Sequence, residues 1–175
     1  MSISTYVFLL LPLFTHAAEP VRPMKEMKGG CENYQTPLTQ EFKDWELGPL
    51  TLATNEGKEG TLLPLNKRLK LLLQPASSVK FAKPPAKDAA KGSGAVIPLR
   101  VASTGTYKIA AGSRLWLEIT KKNGEEIKAE RFEMQTACAT IAKVLTFKLT
   151  GGQDYLLQLA GAPEASVEIM LSREL

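Results

Sequence analysis

The residues best placed to do chemistry lie on one short segment, Arg114, Trp116 and Glu118. They alternate with Leu115, Leu117 and Ile119, and in an extended strand alternate side chains point to opposite faces. If the leucines and Ile119 face a core, Arg114, Trp116, Glu118 and Thr120 face outward. An indole flanked by a cation and a carboxylate is a surface on which a sugar ring or polymer could stack. The simpler reading is that the N-terminal arm or helix covers Trp116 and makes it a satellite core residue. A second candidate is basic: Lys80, Lys83, Lys87 and Lys91 recur every three or four residues, but Pro84-Pro85 breaks any helix through them. A solvated loop is the plain reading, and contact with an anionic polymer or headgroup is the sharper one. No aromatic residue is interleaved within residues 83–94, so nucleic acid is not indicated.

Acid–base and nucleophilic arrangements are sparse. Glu125-Glu126 follow an Asn123-Gly124 turn and read as solvated loop carboxylates, while Glu118 and Glu130 could face each other across the hairpin, a pair that reads as ordinary surface charge. Glycoside hydrolysis needs two carboxyls at a defined separation, one in an apolar pocket. Ser77 and Ser78 near Lys80 are weak candidates for Ser-Lys chemistry. The one histidine, His16, falls in the leader described next, so the mature chain is expected to hold none. That excludes Ser-His and Cys-His nucleophilic pairs and histidine-held iron or zinc. No catalytic residue, metal site or cofactor is assigned, and a non-enzymatic role is expected.

The first 18 residues carry no Asp, Glu, Lys or Arg, and Tyr6 to Phe14 is an apolar run followed by Ala17-Ala18 and Glu19-Pro20. This order predicts a cleaved secretory signal over residues 1–18. The run is shorter than the roughly 20 apolar residues of a membrane span and contains Pro12, so no span is expected in the mature form. Removing 18 of 175 residues leaves 157, enough for one domain with a real core, and the net charge of +4 stays on it. Cys31 and Cys138 are the only cysteines. In an oxidising compartment they predict one disulfide, whose closure restricts the unfolded chain by roughly 4.7 kcal/mol on the loop-entropy account. The expected location is periplasmic or secreted, with an envelope protein or polysaccharide as partner. The alternatives are an inhibitor that occludes an enzyme with loop 83–94, and a carboxylate-based hydrolase.

Residues 19–49 read as an extended arm and one short helix, with Thr36 as N-cap, Pro37 at the first position, and Leu38, Phe42 and Trp45 on one face. From residue 50 to 175 the apolar period is two. Strands are expected over 50–54, 61–65, 68–73, 78–82, 95–101, 105–110, 114–120, 126–132, 143–150, 153–159 and 165–171, with Pro64 marking an edge and Pro98 an edge or bulge. Asn123-Gly124 is a strong hairpin signal. The fold expected is all-β, a two-sheet antiparallel sandwich or jelly roll with one short N-terminal helix.

Within residues 95–172, Gly105-Thr106-Tyr107, Leu115-Trp116-Leu117, and Gly151-Gly152 followed by Tyr155, Leu157 and Leu159 resemble the bacterial pre-peptidase C-terminal β-sandwich family. The resemblance implies a sandwich. Arg114 stands where that family often carries acidic residues, so a calcium role is not carried over. The whole layout is similar to short proteobacterial secreted proteins of unknown role, some of which carry a homogentisate dioxygenase label. That activity needs iron-binding histidines, which the mature chain lacks.

Overall fold

The computed structural model describes residues 25–53 and 63–174. The expected leader, residues 19–24 of the arm, and residues 54 and 61–62 of two expected strands lie outside them. Eleven strands occur among the described residues: β1 (Leu50–Ala53), β2 (Arg68–Leu72), β3 (Gln74–Pro75), β4 (Ser93–Arg100), β5 (Gly105–Ala111), β6 (Trp116–Thr120), β7 (Glu126–Ile127), β8 (Arg131–Met134), β9 (Lys143–Leu149), β10 (Asp154–Ala162) and β11 (Ser166–Arg173). They form a six-stranded sheet in the order β1-β2-β11-β5-β9-β8 and a five-stranded sheet in the order β3-β4-β10-β6-β7. The fold is an all-β two-sheet sandwich. Its strand pairs are antiparallel apart from β1 and β2, which run parallel with Leu50 beside Leu69.

The period-two pattern builds the core directly. Leu69 and Leu71, Tyr107 and Ile109, Leu145 and Phe147, and Val167 and Ile169 point inward from the larger sheet. Ile97 and Leu99, Leu117 and Ile119, and Tyr155 and Leu157 meet them from the smaller one. Pro98 occupies a stretch of β4 that two-residue β3, paired only at Ser93 and Gly94, does not reach. Its missing N–H therefore costs no ladder bond.

The larger sheet is covered on its other face too. Ala110, Val144 and Met170 on its outer side pack with Phe42, Trp45, Cys138 and Ile141 in a second cluster. The Cys31–Cys138 disulfide, Cα atoms 4.5 Å apart, ties this N-terminal layer down. The apolar face expected for the helix is real, but the helix is not continuous. One turn, α1 (Leu38–Glu41), ends at Phe42 (φ −126°, ψ 37°), and a 3-10 turn follows over Lys43–Glu46. Helices this short are marginal. Here burial of Phe42 and Trp45 and the pull of Lys108 on Glu41, 2.6 Å away, decide the path. Thr36 does not cap the turn. Its N–H and hydroxyl donate to the buried Glu133 carboxylate, and the Pro37 carbonyl opens the helix instead.

Other segments depart from expectation. Residues 126–132 are not one strand: β7 stays in the small sheet and β8 joins the large one. Glu118 and Glu130 consequently do not face each other: Glu130 leads into β8 of the large sheet and pairs with Lys148 at 2.6 Å. Residues 78–82 form no strand, because the chain lies across the outer face of the small sheet instead of along its edge. Leu65 makes only an isolated parallel bridge to Leu171. Between β6 and β7 the Asn123-Gly124 turn forms as expected. Gly124 has φ +83°, and a Cβ there would come within 2.7 Å of the Ala82 carbonyl oxygen.

Candidate functional site

The two surfaces singled out from the sequence are one place. Residues 79–83 run over the outer face of the small sheet as a strap, and the β6 residues lie beneath it. Fully buried Gln158, on central strand β10, holds the strap: its Oε1 accepts from the N–H of Ala82 (2.6 Å) and of Lys83 (3.3 Å), and its Nε2 donates to the Lys83 carbonyl (3.3 Å). Lys83 Nζ then reaches Glu118 Oε1 at 3.1 Å and Glu126 Oε2 at 2.5 Å. The hydrogen bond to Glu126 holds the ammonium above the ordinary lysine pKa, against desolvation and with help from Glu118. Trp116 is half-buried, with the Phe81 ring edge-on at 6.1 Å. Its cover is thus the strap, not the N-terminal arm or helix.

The remaining candidates do not converge on Trp116. Arg114 is exposed and precedes β6, while Thr120 is fully buried rather than outward in solvent. Lys80 and Lys91 are exposed, and Lys87 belongs to a separate 3-10 turn, Lys87–Ala90. Of these lysines, Lys83 reaches the strand that holds Trp116, and it is engaged by the Glu118 and Glu126 carboxylates. Gln158 escaped the sequence reading; its signal is a polar residue amid the apolar run of a central strand.

The N-terminal layer rests on a second polar set. The Glu133 carboxylate accepts from the N–H of Gln35 at 2.7 Å, and the Gln135 side chain bridges Gly29 N and Asn33 O, both at 3.1 Å. Lys108 lies between Glu41 (2.6 Å) and Glu174 (3.0 Å). Burial works against its charge, but the two carboxylates outweigh it and raise its pKa. Buried Lys143 donates to the Leu115 carbonyl at 2.6 Å and sits 5.1 Å from the Phe132 ring centroid. Burial lowers its pKa to about 8.

Where this layer meets the β11 end of the large sheet, a cleft of about 370 Å³ opens. Its floor is the outward row of β2 and β11, where Lys70 stands directly across from Glu168. Arg68, on the same row, lies over the Trp45 ring at 5.9 Å and has Glu168 at 3.8 Å. Ser113 and Glu164 also line it. Gly112 keeps the floor open: a Cβ there would sit 3.4 Å from both Trp45 Cζ2 and the Thr140 carbonyl oxygen. Arg68 Nε and Ser113 Oγ are buried without hydrogen-bond partners. None of these residues stood out in the sequence, since alternating charges on a strand read as a solvated face and only the chain fold raises walls around them.

Among the described residues, no group of three or more His, Cys, Asp or Glu is placed to hold a metal ion, and no helix is long and apolar enough to cross a membrane. No protein-family model, curated protein or solved structure matches this chain.

Proposed function

We propose that this chain is an exported, non-enzymatic binding module that holds an envelope polymer through the cleft beside Trp45. The cleft carries the reading. At about 370 Å³ it lies in the range of small-ligand sites. Its lining carries both charge signs, and two of the lining side chains, Arg68 and Ser113, each hold an unpartnered buried polar atom. A concave polar seat of this size suits the repeating groups of a polymer better than the broad, flatter contact of a protein partner. The Cys31–Cys138 disulfide fits an oxidising compartment and supports export. Loop 83–94, the part an inhibitor would insert, is anchored at its start by Gln158 and Lys83, which favours the binding role over occlusion.

Cosedimentation with isolated peptidoglycan sacculi tests the proposal, using Gly112→Leu to fill the floor without altering charge. Retention of the parent protein and loss in the variant, at matched thermal stability, is the expected result. Absence of retention, or equal retention of both proteins, overturns the assignment.

A further inference from the structure

Resting on that reading of the cleft, we infer that Arg68 and Ser113 form a seat for a single carboxylate of a zwitterionic, peptide-like ligand, with Glu164 on the side of the ligand's ammonium group.

Arg68 supplies the cation of this seat. A guanidinium stays ionised and offers five N–H donors in a planar fork. Here its place over the Trp45 ring, 5.9 Å to the centroid, orients it. Its anionic contact among the described residues, Glu168 at 3.8 Å, is beyond hydrogen-bond length, and Nε is buried without a partner. Unmet donors at a buried site are costly, and a ligand oxygen removes that cost. Ser113 lines the same cleft, and its Oγ is likewise buried and unpartnered. Two unsatisfied groups on different elements, one a fixed fork and one a hydroxyl, suit the two oxygens of a carboxylate.

Charge balance narrows the ligand further. The lining holds two cations, Arg68 and Lys70, and two carboxylates, Glu164 and Glu168. Glu168 lies across from Lys70 on the paired strands and 3.8 Å from Arg68, so one carboxylate serves both cations of the floor, and Glu164 stands apart on the turn before β11. A lining of zero net charge disfavours a dianionic phosphate. It favours a ligand that brings one charge of each sign, as the free stem of a peptide-crosslinked polymer does.

Calorimetric titration of the oxidised protein separates the possibilities, with four probes: D-alanyl-D-alanine, its C-terminal amide, its N-acetyl derivative and inorganic phosphate. The free dipeptide is expected to bind, with the amide weaker by about tenfold to a hundredfold, as for loss of a charged hydrogen bond. Acetylation is expected to weaken binding less than amidation, and phosphate to compete poorly. In Arg68→Met the acid and amide should bind alike, and Ser113→Ala, which leaves the Trp45 packing intact, should narrow the gap. Equal binding of acid and amide, effective competition by phosphate, or no binding of the dipeptide overturns the carboxylate seat. Loss of sacculus retention in Gly112→Leu would still stand for the broader reading, so the two fail separately.

Discussion

Lys83 Nζ lies 3.1 Å from Glu118 Oε1, and this contact fastens the strap over the strand that holds Trp116. The lysine and glutamate are 35 residues apart and sit in different candidate surfaces of the sequence. Their pairing turns an apparent open platform into a closed one. Both groups keep some solvent access, so the pair itself contributes at most about 1 kcal/mol.

Lys83→Met should therefore leave the melting temperature nearly unchanged while loosening the strap. In a Trp45→Phe background, where Trp116 is the remaining tryptophan, acrylamide quenching should rise and the emission should shift to longer wavelength. Unchanged quenching would mean that the Gln158 amide and Phe81 hold the strap without the lysine.

Glu133 is the polar anchor of the N-terminal layer, 1 % exposed and accepting from Gln35 and Thr36. Glu133→Ala strands those donors and should cost about 2–3 kcal/mol in urea unfolding. Glu133→Gln keeps one acceptor oxygen and should cost less. An alanine variant as stable as the parent would show that water takes over the role.

The inward pattern of Leu145, Phe147 and Leu149 on β9, and of Tyr155, Leu157 and Leu159 on β10, was legible because one face of each strand always meets the opposite sheet. The burial of Val144 was not, because it depends on Phe42 and Trp45, far earlier in the chain, folding over it. The break within residues 126–132 left a faint signal. Ile127 and Phe132 have opposite parity, so an unbroken strand could not place both inside, and Phe132 indeed remains 44 % exposed. The cleft left less. Arg68, Lys70 and Glu168 alternate as solvated residues do, and only the arrival of Trp45 and Ser113 gives them an enclosure.

Reduction of Cys31–Cys138, or its replacement by two serines, should cost about 2–4 kcal/mol. The effect should also be local. The amides of Gly29, Thr36 and Ala137 bond within or onto this layer, and their hydrogen exchange should accelerate most. Amides of β10, central in the other sheet, should keep their protection relative to global unfolding. Uniform acceleration would mean that the layer and sandwich open as one unit.

Lys143 gives a pH signature of definite sign. Its pKa falls to about 8 in the folded protein because burial disfavours the charge, whereas the unfolded chain keeps the ordinary value of 10.5. Between these values the unfolded state binds more protons, so this group's contribution to stability rises with pH from about 8 to about 10.5. Below pH 8 the folded protein carries the full penalty of an ionised buried lysine, of order 3 kcal/mol at most. Lys143→Met removes that penalty but leaves the Leu115 carbonyl without its donor, so the gain at pH 7 should be smaller. Urea unfolding of parent and variant at pH 7, 8, 9 and 10 checks the sign. The stability advantage of the variant should shrink steadily above pH 8 as the parent's lysine neutralises in place. A difference that stays flat to pH 10 would place the folded pKa near the unfolded one, and the Leu115 carbonyl and Phe132 ring would then be stabilising the cation as well as water does.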